Sequence, residues 1–298
     1  MKILHSYPLM LGMFLLFSLS VFAKTGDTVN YVNILKKSPA YNTSEKQIFP
    51  AFTYQLPSDP NLTHLRLTYH LDSVAGSGSD ISKAIRLLEW FHNQVPHEDV
   101  GNLPVLNAEN IIKSYKEKHI SQGCYPLSIA ANEIFLSMGF KSRSVICFSG
   151  TYPHSNGGHV INSVFIPSLD KWIYMDPQDN AYVKDERGNF LSIAEVRERL
   201  ISGEHMVLNK TANYHHVPDK IEDYLYKFIA MVIYRMISPV NSEYDSQTRS
   251  NGKILRYVEL LPAGSTDPVV DNFETSIGKN SCVITYHTNN DQLFWQKP

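Results

Sequence analysis

Apolar and polar positions along the 298-residue chain change period several times, and each change marks an element. An apolar run, "PLMLGMFLLFSLSVF", covers residues 8 to 22 with Ser18 and Ser20 inside it and ends ahead of Ala23 and Lys24. Residues 24 to about 60 carry Pro39, Pro50, Pro57 and Pro60 among scattered aromatics, which favours irregular structure over a long helix. Leu65, Leu67, Tyr69 and Leu71 then alternate as in a strand, and "AGSGSD" breaks the pattern. Ser79 or Asp80 caps the next predicted element, a helix over 81 to 95 with Ile81, Ile85, Leu88 and Phe91 on one face and Pro96 as its stop. A shorter helix is expected over 107 to 117. From Cys124 the positions Leu127, Ala130, Ala131, Ile134, Phe135 and Met138 follow helical spacing up to Gly139, and Pro126 suits a first turn.

Strand patterns follow in "SRSVICFS", "HVINSVFIP" and "KWIYMDP", with "PSLD" as the turn between the last two, and "YVKDERGNFLS" reads as one more hairpin. Helices are expected over 192 to 202 and, as one long element, over 219 to 237. The tail offers "ILRYVELL" and "SCVITYH", strand-like pieces suited to a small appended sheet. Helices followed by a run of strands predict an α+β fold with a mostly antiparallel sheet. No internal repeat is visible.

Composition narrows the function classes. The chain is 43% hydrophobic and 19% charged, which is globular rather than disordered. A net charge of −2 and the lack of any Lys/Arg cluster argue against a nucleic-acid partner. Lys2 ahead of the short apolar run describes a secretory signal peptide over residues 1–23, so a secreted or periplasmic protein with no stable membrane span after processing is expected. Three cysteines remain beyond it, Cys124, Cys147 and Cys282, and an odd count leaves at least one unpaired within the chain. Cys147 and Cys282 sit in apolar runs and read as buried small residues, bridged or not. Three Asn-X-Ser/Thr triplets, at Asn42, Asn61 and Asn209, match the N-glycosylation pattern, which arises often by chance.

The candidate chemistry starts at Cys124. A helix N-terminus offers partial positive charge and unpaired N–H groups, which stabilise a thiolate and later an oxyanion. Taken alone, a cysteine in that place is more often simply packed. His159 opens a strand 35 residues on, and Asp176 closes the next strand 17 residues after that. If residues 167 to 170 close the hairpin, residue 166 pairs with 171 and Ile161 with Asp176. His159 and Asp176 then share a face as diagonal neighbours, about 7–8 Å apart along the backbone and within tip-to-tip reach. In a triad, His159 would move the thiol proton and Asp176 would fix the imidazole tautomer.

Around these residues the chain resembles the transglutaminase-like superfamily. The likeness is carried by a Gly-Cys helix start, "GCYPLSIAANEIFLSMGFKSRSV", and by a His-led strand running to an Asp-Pro with a tryptophan shortly before it, "GHVINSVFIPSLDKWIYMDP". It spans residues 80 to 185, with the Trp90 helix as forerunner. The resemblance implies a papain/transglutaminase-like core in which a helix bearing the nucleophilic cysteine packs on a sheet bearing His and Asp. By it, Cys124 is the nucleophile, His159 the general base and acid, and Asp176 the orienting carboxylate. Ile161 and Asn162 stand where many members carry an aromatic.

Gln122 is a candidate oxyanion donor or an exposed loop residue, and the Cys124 backbone N–H is the other donor. His154 reads as a loop residue or a second proton handler, and Trp172 as packing that shields the triad. Asp170 and Asp179 are fallback carboxylates in turn settings. His215-His216 lacks metal-ligand spacing, so no metal and no cofactor are expected. The expected organisation is a signal peptide (1–23), an N-terminal extension (24–75), a catalytic core (76–205) and a C-terminal helix with a small β extension (206–298). The expected function is a secreted thiol enzyme acting on protein or peptide amides, by hydrolysis or acyl transfer. A non-catalytic binding module is the alternative.

Overall fold

The computed structural model describes residues 29–44, 46, 49–99, 103–150, 158–264, 270–275 and 281–298. The signal-peptide segment and His154 lie outside the described residues.

Seven helices build the first two thirds of the chain: α1 (Tyr31–Lys36), α2 (Pro60–Thr68), α3 (Leu71–Ala75), α4 (Asp80–His92), α5 (Ala108–Lys118), α6 (Cys124–Ser137) and α7 (Ile193–Ser202). The expected strand over 65–71 is instead the end of α2 and the start of α3. Asp59 caps α2 by accepting from the Asn61 and Leu62 N–H groups, and Pro60 sits in its first turn. Leu62 and Leu65 are buried while Leu67 is 65% exposed, so the alternating leucines lie on a helix with only one of its sides covered. Ser79 caps α4 and accepts from the Ser82 N–H. Helix α7 begins with a full capping box between Ser192 and Glu195.

The main sheet has seven strands: β2 (Lys141–Phe148), β3 (Gly158–Ile166), β4 (Lys171–Met175), β9 (Arg235–Pro239), β11 (Ile254–Leu260), β12 (Val270–Thr275) and β13 (Ser281–Thr288). Their order is β12-β13-β11-β9-β2-β3-β4. Three two-stranded ladders accompany it: β1 (Thr53–Tyr54) with β10 (Asn241–Ser242), β5 (Val183–Lys184) with β6 (Val207–Leu208), and β7 (Asn213–Tyr214) with β8 (Val217–Pro218). The fold is mixed α+β with a mixed sheet, because β11 and β13 run parallel whereas the other main-sheet pairs are antiparallel. The tail strands therefore extend the main sheet rather than forming a small one of their own.

The expected long helix over 219–237 is also replaced. A π-helix covers Glu222–Ile229, a short α-helical turn Ala230–Val232 follows, and Arg235–Pro239 is β9 in the middle of the sheet. Apolar residues on both faces of a central strand give no alternation, so the run "IAMVIYRMI" reads equally well as helix from periodicity alone.

Helices cover both faces of the sheet. On one face Val164, Ile166, Ile173 and Met175 pack with Leu65, Leu88, Phe91, Ile111, Leu127 and Ile134 of α2, α4, α5 and α6. On the other, Val145, Ile161, Tyr174, Met236 and Val258 pack with Val196 and Leu200 of α7 and with Leu225 and Ile229 of the π-helix. Burial of these aliphatic side chains, each worth roughly 1.5–3 kcal/mol, fixes strand parity and hence the face each polar side chain takes.

Candidate active site

Helix α6 is almost wholly buried, and it starts without help from a side-chain cap. Gly123 is the N-cap residue, and a Cβ there would lie 3.1 Å from Asp99 Oδ1. The chain before α6 is tied back to the segment following α4: Gln122 N–H donates to Pro96 O at 3.3 Å and Glu98 N–H to Gln122 O at 2.9 Å. Cys124 is the first residue of α6, is part-exposed, and its sulfur is free. Its backbone N–H has no intrahelical acceptor at that position and no acceptor among the described residues.

One turn on, Ser128 fixes the helix to the sheet. Its Oγ lies 3.0 Å from Ser144 Oγ and 3.1 Å from Asn162 Oδ1, and Asn162 Nδ2 donates to Ser128 O at 3.0 Å. The body of α6 therefore lies on the face that carries Asn162, while His159 has the parity of Ile161 and points to the other. Cys124 and His159 meet at the end of the sheet, where β3 begins and β4 has stopped at Met175. There the sulfur lies close enough to add its hydrogen bond and charge to the forces acting on the imidazole.

The hairpin register is the one the sequence predicts. Ile166 pairs with Lys171 and Asn162 with Met175, so the next step sets Ile161 opposite Asp176. Asp176 is held by a reciprocal backbone pair with Ala181, at 2.8 and 3.0 Å, across the turn from Pro177 to Asn180. His159 Nε2 and Asp176 Oδ2 are 2.6 Å apart, and both side chains are buried. Asp176 Oδ2 also accepts from the Tyr224 hydroxyl at 2.6 Å, and Oδ1 accepts from Gln178 N–H at 2.9 Å. With Nε2 taken by the carboxylate, Nδ1 is the nitrogen left for sulfur.

Burial alone pulls the His159 imidazolium down, but the Asp176 charge and hydrogen bond, helped by Cys124, overcome it and set its pKa well above the ordinary histidine value. Burial pushes Asp176 up, and the His159 charge with donors from His159, Tyr224 and Gln178 brings it below the usual carboxylate range. The pair is thus an imidazolium and a carboxylate.

Several site residues carried no sequence signal. Phe228 lays its ring 4.9 Å from that of His159, and it stands four residues after Tyr224 in the π-helix. His97 Nδ1 and the Tyr214 hydroxyl share a hydrogen bond at 3.0 Å, and the ring lies 3.6 Å from Asp99. Burial and the nearby His159 charge lower His97 to about 4, so the His97–Asp99 contact joins a carboxylate to a neutral ring rather than forming an ion pair. The His97 position after Pro96 is visible in the sequence, but its hydrogen-bond partner Tyr214 is 117 residues away.

The remaining candidates divide. Gln122 is fully buried rather than an exposed loop residue, and its amide donates to Ile120 O at 3.3 Å. Asp179 is buried near the pair, and burial with the Asp176 charge raises it well above the carboxylate range. Asp170 lies in the turn at the opposite end of the hairpin, paired with Lys297. Trp172 packs on Tyr54, Phe165 and Arg143 instead of shielding the His159–Asp176 pair, against which Tyr224 and Phe228 lie. Cys147 and Cys282 are unbridged. Their strands, β2 and β13, stand three ladder steps apart, about 14 Å, beyond the reach of a disulfide.

Ligand atoms of His159, Asp176 and Asp179 lie within 4.8 Å of one another, a spacing compatible with a metal. Their oxygens and nitrogen are already engaged: the His159 Nε2 and both Asp176 oxygens have partners, and Asp179 Oδ2 accepts from the Gln178 amide at 3.1 Å.

No family model matches the sequence, and no curated protein is found similar to it. Among solved structures, the chain is similar to a putative cysteine protease from Cytophaga hutchinsonii, at 11% identity and a TM-score of 0.32. The alignment covers 49% of this chain and 50% of that one. A likeness of that size carries no inference about activity, and the comparisons do not support the transglutaminase-like superfamily in particular.

Proposed function

We propose that the chain is a thiol enzyme acting on amide or peptide carbonyls, with Cys124 as nucleophile, His159 as proton carrier and Asp176 as the carboxylate that orients it. The observation that supports this reading is the buried 2.6 Å His159–Asp176 bond presented to a part-exposed sulfur at the start of α6. In the resting site the thiol proton already sits on His159 Nδ1, and sulfur attacks the carbonyl carbon as the thiolate of that ion pair. The resulting oxyanion is met by the Cys124 N–H and by the positive end of α6. The imidazolium then returns the proton to the departing amine or ammonia, which leaves a thioester on Cys124. Water or a second amine, deprotonated by the neutral imidazole, releases the acyl group. The transglutaminase-like core and the secreted setting belong to this proposal and rest on the motif around Cys124 and on the N-terminal apolar run.

The test is a mass shift on glutamine-containing peptides incubated with the protein, with and without an added primary amine. Cleavage or a gain of one oxygen for one N–H marks hydrolysis, and an adduct with the amine marks acyl transfer. Either product must vanish in Cys124→Ala. A product that persists in that variant removes Cys124 from the reaction.

A further inference from the structure

Asp176 Oδ2 serves two donors at once. His159 Nε2 and the Tyr224 hydroxyl each approach it to 2.6 Å, while Oδ1 is held separately by the Gln178 N–H. Tyr224 is itself supported from behind. Its oxygen lies 2.6 Å from the Tyr174 hydroxyl, and because Tyr224 gives its proton to Asp176, Tyr174 is the donor in that contact. All three side chains are buried, Tyr174 on β4 two residues before Asp176 and Tyr224 on the π-helix.

The π-helix matters to this arrangement. Residues 224 and 228 both face the pair, one holding the carboxylate and the other covering the imidazole ring. Single π-turns recur at functional sites, where they re-aim side chains that a regular helix would direct elsewhere.

Resting on the thiol-enzyme reading, we propose that Tyr224, propped by Tyr174, is a positioning residue that sets how tightly Asp176 holds the proton on His159. A carboxylate oxygen that already accepts one strong hydrogen bond is a poorer partner for the next. The Tyr224 hydroxyl therefore tempers the basicity that Asp176 lends to His159, and this lets a deeply buried imidazole both accept and return a proton near neutral pH. Removing the hydroxyl leaves the ring packing in place and gives His159 the undivided oxygen.

Other titratable groups face the pair from every side, and their settings define the background. His97, lowered to about 4, is neutral above that pH. Cys147, opposite His159 on β2, Tyr174 and Tyr224 are all raised by burial and stay neutral, and burial with the Asp176 charge raises Asp179. Asp99 is raised by burial against the His159 charge, and Asp219 reaches about 6. Tyr214, behind His97, is raised by burial. Apart from the two tyrosines themselves, these groups are left in place by the substitutions, so a difference between variants reports the Oδ2 contact.

The experiment is a titration of 15N-labelled histidine side chains by NMR in the full chain, with the His159 signals identified by their loss in His159→Ala. In Tyr224→Phe the His159 imidazolium should hold its proton to a higher pH by about one unit, a tenfold change in the protonation equilibrium. Tyr174→Phe should move it the same way by less, and the double variant should match Tyr224→Phe. Superimposed titrations, or a shift to lower pH, overturn the proposal. A purely structural role would lower the melting temperature of Tyr224→Phe without moving the titration, and that also counts against it. The parent reading fails by a different sign: alkylation of Cys124 that is indifferent to His159→Ala would remove the thiol chemistry whatever the tyrosines do to the ring.

Discussion

Asp176→Asn removes the charge from the centre of the site while keeping its shape, and its cost can be worked from the contacts. In the native protein the carboxylate accepts three hydrogen bonds, two at Oδ2 and one at Oδ1. An asparagine can keep the two at one end only by turning its amide nitrogen toward the Gln178 N–H, leaving a donor facing a donor. An unsatisfied buried donor costs about 1–3 kcal/mol, and replacing charge-assisted bonds by neutral ones loses about 1 kcal/mol each. The sum is about 3–5 kcal/mol where the imidazolium is present. The pH dependence has a definite sign. His159 is raised in the fold, so its contribution is complete below the unfolded value near 6.5 and is lost as pH rises through the folded value. Asp176 is lowered, so its contribution is present above about 3.9 and is lost as pH falls through its folded value. The stability gap between native protein and variant, measured by urea unfolding across a pH series, should be widest between about pH 4 and 6.5 and narrow on both sides. A gap that is flat with pH, or that widens toward alkali, would refute the ion-pair assignment.

Three further substitutions probe separate parts of the structure. Gln122→Ala should lower turnover by less than about tenfold, since its amide is engaged with Ile120 O; a loss of about a hundredfold, the size seen when an oxyanion donor is removed, would return Gln122 to the reacting centre. Glu133 is buried, accepts the Ala108 and Asp245 N–H groups, and is pushed by burial to about 8, so stability should fall by up to about 1.4 kcal/mol per pH unit between its unfolded value near 4.3 and that point. Glu133→Gln should flatten this slope in urea unfolding, and an unchanged slope would place the titration elsewhere. Arg143 is buried among Phe52, Trp172, Phe294 and Trp295 with Nε and Nη1 unpartnered among the described residues, so Arg143→Met should match or exceed the native melting temperature, whereas a drop equal to that of Arg143→Ala would show that the cation itself stabilises the tail.

The parts of this account legible in the sequence are those set by local rules. The Gly123–Cys124 helix start, the four-residue turn after Ile166 and the period-two parity of β3 and β4 together place His159 and Asp176 side by side from letters alone. What failed had competing local readings. Leu65 and Leu67 alternate by coincidence on α2, whose Asp59-Pro60 start was the better signal. The run through Met236 has no period that separates a buried strand from a helix, so the central position of β9 and the end of the π-helix at Ile229 were hidden. Tyr224 and Phe228 show the limit most plainly. Their spacing of four suggests one face of a helix, but only the tertiary fold brings that face against Asp176 and His159.

The most direct test of the central claim is the rate at which iodoacetamide labels Cys124 at neutral pH, followed by peptide mass so that the part-exposed Cys282 is counted separately. Cys124 should react faster than a free cysteine thiol, and His159→Ala should slow it by about tenfold or more as the neighbouring cation is lost. Labelling of Cys124 at the free-thiol rate, unchanged by that substitution, would contradict the account.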